Sequence, residues 1–376
     1  MRLSAAMIMR NEARHLDACL RSIRPHVDEI VIVDTGSTDA SPGIARRYDA
    51  RLLQQPWQED FAAPRNLALA AAQGDWILYI DADERLRLPP GTALAPLLED
   101  REKLAWRLRL QPKTNYTAYA EVRIFRNRPE IRYRGVIHER VLPDILRLSA
   151  GRADAIGHCD LALEHVGYEG DQRRKHERNL PMLRRYLETD PERVFCWWHM
   201  GEILAELGRP EEAAAAFAEG IALVRRRGER APLAEDSLPF AGLLRLELDR
   251  GNPVGPLLGE ARALFPENRL LRWIAARHEM ANGRPAAALP LLRALAAEDG
   301  ERFYDPLIAY DKRLFGEFAQ ASLGVCHMRL GAHDLAAEAF AAAARFAPED
   351  PSYPVKQQLA AARHASRAPA AAFRGA

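Results

Sequence analysis

The feature that most constrains the fold is a change of pattern near residue 190. Before it, short apolar runs alternate with helical stretches; from about Val194 the chain is alanine-rich, helical and nearly free of β-branched runs. In the first part, Ser4–Met9 (SAAMIM), Glu29–Val33 (EIVIV), Arg51–Gln54 and Trp76–Ile80 (WILYI) read as buried strands. Helical stretches at Glu12–Ile23, Thr38–Tyr48 and Ala62–Ala72 separate them. Strands alternating with helices of this length mean βαβ units and a mostly parallel sheet with right-handed crossovers. Beyond Trp106 the sequence becomes β-rich and arginine-rich, with arginines at 123, 126, 128, 132 and 134. Those arginines suit either an anionic acceptor or a merely solvated face.

The second part repeats a helix–turn–helix unit. One copy places Trp198, Gly201, Leu204, Leu207-Gly208 and Phe217 in order; another places Leu323-Gly324, Leu330-Gly331, Ala337 and Phe340. The inner glycines permit close helix approach, the second glycines end the first helix, and the aromatic side chain packs back. Weaker copies turn at Gly251 and Gly283. This spacing resembles degenerate tetratricopeptide repeats, and stacked helix pairs fit it better than an irregular bundle. The chain therefore divides into an α/β domain at 1–186, a helical repeat domain at 191–364 and a frayed tail at 365–376. A charged amphipathic helix at 171–187 connects them, and Thr189-Asp190-Pro191 reads as the N-cap and first turn of the next helix.

Composition narrows the function classes. Lys plus Arg is 53 against 52 for Asp plus Glu, a formal net charge of +1, so the basic excess of a nucleic-acid binder is missing. No stretch approaches the ~20 apolar residues of a membrane span. Arg10, Asn11 and Glu12 interrupt the N-terminus before a signal-peptide core forms, so a cytoplasmic location is expected. Cys19, Cys159, Cys196 and Cys326 lie far apart, without the paired spacing of a zinc knuckle.

The chemistry concentrates at strand ends. Asp81-Ala82-Asp83 directly follows WILYI, which puts two carboxylates at the carboxyl edge of the sheet, where open α/β sheets bind ligands. Two hard oxygen ligands suit Mg²⁺ or Mn²⁺, and such an ion suits a diphosphate; the competing role is a helix N-cap. The other two strands end in Asn11-Glu12 and in Asp34-Thr35-Gly36-Ser37-Thr38-Asp39. For Asp34 and Asp39, turn capping and ligand contact both stand.

Residues 1 to about 185 resemble a family 2 glycosyltransferase with the GT-A fold. The resemblance rests on MIMRNE (7–12), VDTGSTD (33–39), DFAAPRN (60–66), GDWILYIDADE (74–84), RIFRN (123–127), GVIHE (135–139), EHVGY (164–168) and KHERNL (175–180). The nearest subgroup includes lipopolysaccharide-core glucosyltransferases and bacteriocin peptide S-glycosyltransferases, which often carry helical repeats after the catalytic domain. One departure is Thr35, where the family commonly has a second Asp.

The resemblance implies an inverting, metal-dependent transfer from a nucleotide-diphosphate sugar, with UDP-hexose expected, to a glycan, lipid-linked or peptide acceptor. It assigns Asn11, Glu12, Asp34 and Asp39 to the base and ribose, and Arg65 to the uracil or phosphates. Asp81 sits near ribose and metal; Asp83 and His165 are metal ligands, with Mn²⁺ or Mg²⁺ bound. Lys175 and Arg178 are candidate diphosphate clamps. Glu139 is the expected base and His138 its rival, since an imidazole of ordinary pKa also moves protons near neutrality. The alternative is a catalytically weak GT-A fold serving as a protein-binding module, against which the intact Asp81, Asp83, Glu139 and His165 argue. The repeats offer a surface for a protein partner, an acceptor or self-association.

Overall fold

A computed structural model describes residues 1–113, 115–167, 172–228 and 233–367. Tyr168 and Asp171 of the sequence motifs, and the tail beyond Arg367, fall outside the described residues. The chain forms two compact units: Met1–Thr114, Ala118–Cys196 and Asp305–Ala309 in one, and Asn115–Thr117, Trp197–Tyr304 and Tyr310–Ala376 in the other. The main division falls at Cys196–Trp197, and each unit takes a short segment from far along the chain.

The first unit follows the order β1 (Leu3–Met9), α1 (Leu16–Ile23), β2 (Glu29–Asp34), α2 (Ser41–Arg47), β3 (Arg51–Gln54), α3 (Ala62–Ala71), β4 (Trp76–Tyr79) and β5 (Glu84–Arg87). It continues with α4 (Ala95–Glu99), β6 (Ala105–Gln111), β7 (Tyr119–Arg126), α5 (Leu142–Leu148), β8 (Ile156–His165) and α6 (Arg173–Thr189). The eight strands form one sheet in the order β3-β2-β1-β4-β7-β6-β8-β5. β3, β2, β1 and β4 are parallel, β7 runs antiparallel to β4, and β5 runs antiparallel to β8.

The apolar runs that lack alternation are strands buried on both faces. Leu3, Ala5, Met7 and Met9 of β1 join Leu16, Leu20 and Ile23 of α1 in one core. Ala6 packs on the opposite face with Val31, Val33, Ile77 and Leu69 of α3. Helices thus cover both sides of the sheet, as the βαβ reading requires. Helix starts differ: α1 begins at Leu16 rather than Glu12, and α2 at Ser41 rather than Thr38, because the intervening residues form the strand-end turns. Thr189 closes α6 and the next helix starts only at Val194, so Asp190 is not an N-cap; its carboxylate instead accepts from the Tyr186 hydroxyl at 3.0 Å.

The helical unit is built from α7 (Val194–Glu206), α8 (Pro210–Arg226), α9 (Ser237–Asp249), α10 (Gly255–Leu264), α11 (Arg269–Ala281), α12 (Pro285–Ala296), α13 (Glu317–Leu330), α14 (His333–Phe346) and α15 (Ser352–Arg367). The turn glycines between paired helices adopt the left-handed backbone that glycine tolerates, for example Gly208 at φ +73° and Gly331 at φ +77°. The inner glycines serve close approach: a Cβ on Gly201 would lie 2.4 Å from the Phe217 ring, and one on Gly324 would lie 2.6 Å from the Phe340 ring.

That spacing sets the cost of a single methyl. Gly324→Ala gains about 1 kcal/mol of helix propensity but overpacks the Phe340 contact, at a typical cost of about 1–3 kcal/mol. The variant is expected to be net destabilised, which urea unfolding measures; a stability equal to or above wild type would show that the ring gives way freely.

Candidate active site

Three parallel strands deliver their ends to one edge of the sheet. Met9 of β1 pairs with Asp34 of β2, and Ala6 pairs with Tyr79 of β4, so the segments after Met9, Asp34 and Ile80 emerge side by side. The strand order runs outward in both directions from β1, the switch point at which such sheets open a crevice.

The first two loops are tied to each other. The Asp34 carboxylate accepts from the backbone N–H groups of Gly36 (3.2 Å) and Ser37 (2.8 Å). Asn11, held at φ +57°, accepts from the Thr38 N–H through its side chain at 2.7 Å. Asp39 accepts from the N–H groups of Ala13 (3.0 Å) and Ser41 (2.9 Å). These carboxylates therefore shape the loops; Asp34 itself is buried. Thr35, at the family's second Asp position, is also buried and donates its hydroxyl to the Met9 carbonyl at 3.1 Å.

The third strand end carries the densest charge. Asp81 accepts from Arg65 Nη2 at 3.1 Å and from the Tyr79 hydroxyl at 2.9 Å. Arg65, on α3, also donates through Nε to Glu139, so one buried guanidinium joins the two carboxylates. Burial raises the Asp81 carboxyl, but Arg65, Arg123 and Tyr79 outweigh it and hold the group below the usual carboxylate range. Burial dominates at Glu139 and leaves it raised despite Arg65. Arg65 Nη1 and the Tyr133 hydroxyl are buried without a hydrogen-bond partner.

Asp83 turns elsewhere. Its Oδ2 lies 3.1 Å from His165 Nε2, a distance set by the antiparallel pairing of β5 with β8, in which Glu84 faces His165 and the Val166 N–H donates to the Asp83 carbonyl at 2.9 Å. Nearby, Glu12 is pushed up to about 7, first by burial and then by Asp83, Asp81 and Asp39. A Cβ on Gly167 would lie 2.0 Å from Asp83 Oδ2, so only glycine leaves room for that carboxylate. Crowded carboxylates beside an imidazole suit a divalent cation, which would relieve their mutual repulsion. The structure joins Asp83 with His165, while the Asp81 carboxylate is engaged by Arg65 and Tyr79. Among the described residues no three His, Cys, Asp or Glu side chains are grouped as a ready-made metal cage.

The remaining candidates lie around this centre. His138 has a left-handed backbone (φ +52°) and its ring meets Phe195 edge-on at 5.0 Å, whereas the adjacent Glu139 faces Arg65. Arg178 lies 5.5 Å from the Phe61 ring centroid; partial burial and the guanidinium of Arg10 pull its pKa down, which places Arg10 nearby. Lys175 lies one turn before it on α6. The arginine-rich stretch is not one basic patch. Arg123 is buried on Glu84, Arg126 lies 4.0 Å from the Trp76 ring centroid, Arg132 donates to backbone carbonyls and Arg134 pairs with Asp144 at 3.0 Å.

Sequence reasoning gave no role to Tyr79, Glu84 or Tyr133, and it read Arg123 as part of the RIFRN motif and of a basic stretch rather than as the partner of a buried acid. Tyr79 and Glu84 flank the Asp-Ala-Asp turn, and a tyrosine and glutamate interrupting an apolar strand end were the available signal. Nothing local tied Arg123 to Glu84 or marked Tyr133, since both arrive from distant strands and loops.

Residues 4–132 match the family model described as Glycosyl transferase family 2. Over that stretch, which holds the strand ends of Asn11, Asp34 and Asp81, the α/β unit is similar to family 2 glycosyltransferases. Glu139, His165, Lys175 and Arg178 lie beyond the matched stretch. A "TPR repeat-containing protein" of Synechococcus elongatus is 37% identical over 226 residues, 58% of this chain and 56% of that protein. The glycosyltransferase SunS from the SPbeta prophage of Bacillus subtilis is 26% identical over 220 residues, 56% of this chain and 51% of SunS. The lipopolysaccharide core biosynthesis glycosyltransferase LpsC of Rhizobium meliloti is 36% identical over 116 residues, 29% of this chain and 42% of LpsC. The chain thus spans about half the length of the curated relatives it matches. Among the described residues no helix is long and apolar enough to cross a membrane.

The raised Glu12 gives a pH signature. A cation entering this cluster lowers the Glu12 pKa, so Mn²⁺ binding near pH 7 is expected to release protons, and well above pH 8 to release almost none from this group. Calorimetry in buffers of different ionisation enthalpy measures the release. Its persistence unchanged in Glu12→Gln would assign the proton to another group.

Proposed function

We propose that this protein is an inverting, metal-dependent glycosyltransferase that moves a hexose from a UDP-sugar to an acceptor nucleophile. The observation that carries this reading is Arg65 bridging Asp81 and Glu139, with Asp83 of the same strand-end turn paired to His165. In this reading Arg65 links a donor-side carboxylate, Asp81, to an acceptor-side one, Glu139.

In this reading the loops of Asn11, Glu12, Asp34 and Asp39 receive the base and ribose, largely through backbone groups that their side chains hold in place. Asp83 and His165 would ligate Mn²⁺ or Mg²⁺, with Asp81 close by and Glu12 adding negative charge. The bound ion would neutralise charge on the departing diphosphate. The orphan Nη1 of Arg65 offers an N–H to a phosphate oxygen, and Arg178 with Lys175 offers further positive charge on the α6 side.

Glu139 takes the acceptor proton. Its raised pKa strengthens it as a base, and Arg65 keeps it ionised and oriented before the acceptor arrives. His138, turned to Phe195, instead orders the loop that presents Glu139. The helical hairpins supply a surface for a macromolecular acceptor, the use to which stacked helix pairs are commonly put.

Two substitutions test the centre. Asp83→Ala is expected to abolish sugar transfer and weaken Mn²⁺-dependent UDP binding while the fold survives; normal turnover in that variant would remove Asp83 from the site. Glu139→Gln should keep donor binding and lower turnover by about 10²–10⁴. A working Glu139→Gln enzyme beside an inactive His138→Ala enzyme would transfer the base role to His138. Donor hydrolysis screened across nucleotide sugars with Mn²⁺ and Mg²⁺ tests the reading as a whole.

A further inference from the structure

Beneath the Asp81–Asp83 turn lies a buried ion pair that no step above uses. Arg123, on β7, is 3% exposed and Glu84, at the start of β5, is 1% exposed. Arg123 donates from Nη1 to Glu84 Oε2 at 3.0 Å and from Nη2 to Glu84 Oε1 at 2.8 Å. Its Nη2 also donates to Glu121 at 3.1 Å.

We propose that Arg123 is a positioning residue of the transferase site, setting the orientation of Asp81 by two separate routes. The first runs through the backbone: Glu84 Oε2, held by Arg123, accepts from the Asp81 N–H at 2.8 Å and fixes the turn. The second runs through the side chain: the Arg123 guanidinium lies 4.3 Å from the centroid of the Tyr79 ring, whose hydroxyl donates to Asp81 Oδ2 at 2.9 Å. Arg65 also lies over that ring, at 4.2 Å, so the tyrosine is held by the same residue that joins Asp81 to Glu139.

Stability alone is a poor reason for this pair. Burying two charges costs several kcal/mol per ion, and well-packed apolar replacements of similar volume are often neutral or stabilising. A bidentate guanidinium–carboxylate pair does supply direction, which an apolar pair lacks. In this site direction matters because Glu84 Oε2 must accept from the Asp81 N–H and Arg123 Nη1 together, while Oε1 accepts from Arg123 Nη2.

The inference rests on the transferase reading, and the experiment separates the two. The full chain is compared with Arg123→Lys, which keeps the charge but loses the fork, and with the apolar pair Arg123→Met/Glu84→Leu, which leaves no buried charge unpaired. Thermal unfolding and near-ultraviolet circular dichroism establish that each variant is folded. Mn²⁺ affinity with UDP is measured by calorimetry, and donor hydrolysis gives kcat and KM. The expected result is a folded protein, for the apolar pair with a midpoint close to wild type, whose Mn²⁺–UDP affinity falls about 10–100-fold, the usual effect of disturbing groups that orient metal-site residues. The loss in kcat should exceed the change in donor KM. Folded variants with wild-type affinity and kcat would overturn the positioning role and leave the transferase reading intact. A wild-type chain that neither binds Mn²⁺ with UDP nor hydrolyses any donor would overturn the transferase reading, and this inference with it.

Discussion

The site depends on one electrostatic constraint. Glu84 is buried in the sheet and Asp81 is partly buried at its edge, where an isolated ionised carboxylate would be expensive. Two arginines from separate elements, Arg65 on α3 and Arg123 on β7, make the burial tolerable. Each contacts more than one acid, so the result is a network rather than independent pairs. Tyr79 lies under both guanidiniums and donates to Asp81, which ties the aromatic packing to the charge pattern.

The network ties the centre of the site together, while turns build its rim. Around Asn11, Asp34 and Asp39, exposed or partly exposed loops are held by hydrogen bonds from side chains to neighbouring N–H groups. Such loops keep their shape without a core beneath them. At Asp83 the chain relies instead on strand pairing and on the absence of a side chain at Gly167.

Much of this was legible in the sequence. The strands SAAMIM, EIVIV and WILYI stood out because parallel strands buried on both faces need continuous apolar runs. The helix hairpins were readable from Gly201 with Phe217 and Gly324 with Phe340, because a missing Cβ and a large ring are complementary shapes. The exact placement of Asp81 was not readable. Its neighbours Arg65, Tyr79 and Glu84 are near in sequence, but Arg123 arrives through the antiparallel β4–β7 pairing, which no local pattern encodes. The arginine-rich stretch misled for the same reason: whether an arginine meets solvent, a ring or a buried acid is decided by the face of the strand on which it falls. Helix starts were read too early wherever strand-end turns imitate a first helical turn.

Strand parity also decides the identity of the residue that meets Asp83. On β8, His165 lies beside Asp83 while its neighbour Glu164 pairs with Arg87 at 2.8 Å. Between β6 and β8 the register is irregular: the run from His158 to Ala162 on β8 matches the run from Arg107 to Arg109 on β6, four steps against two. The surplus is even, so side chains beyond the bulge keep the faces they would have had without it. A surplus of one would exchange an imidazole for a carboxylate at the Asp83 position and turn a mixed nitrogen–oxygen donor set into an all-oxygen one. Parity at this bulge therefore sets the donor chemistry beside Asp83, because a slip of one residue along β8 places Glu164 where His165 now stands.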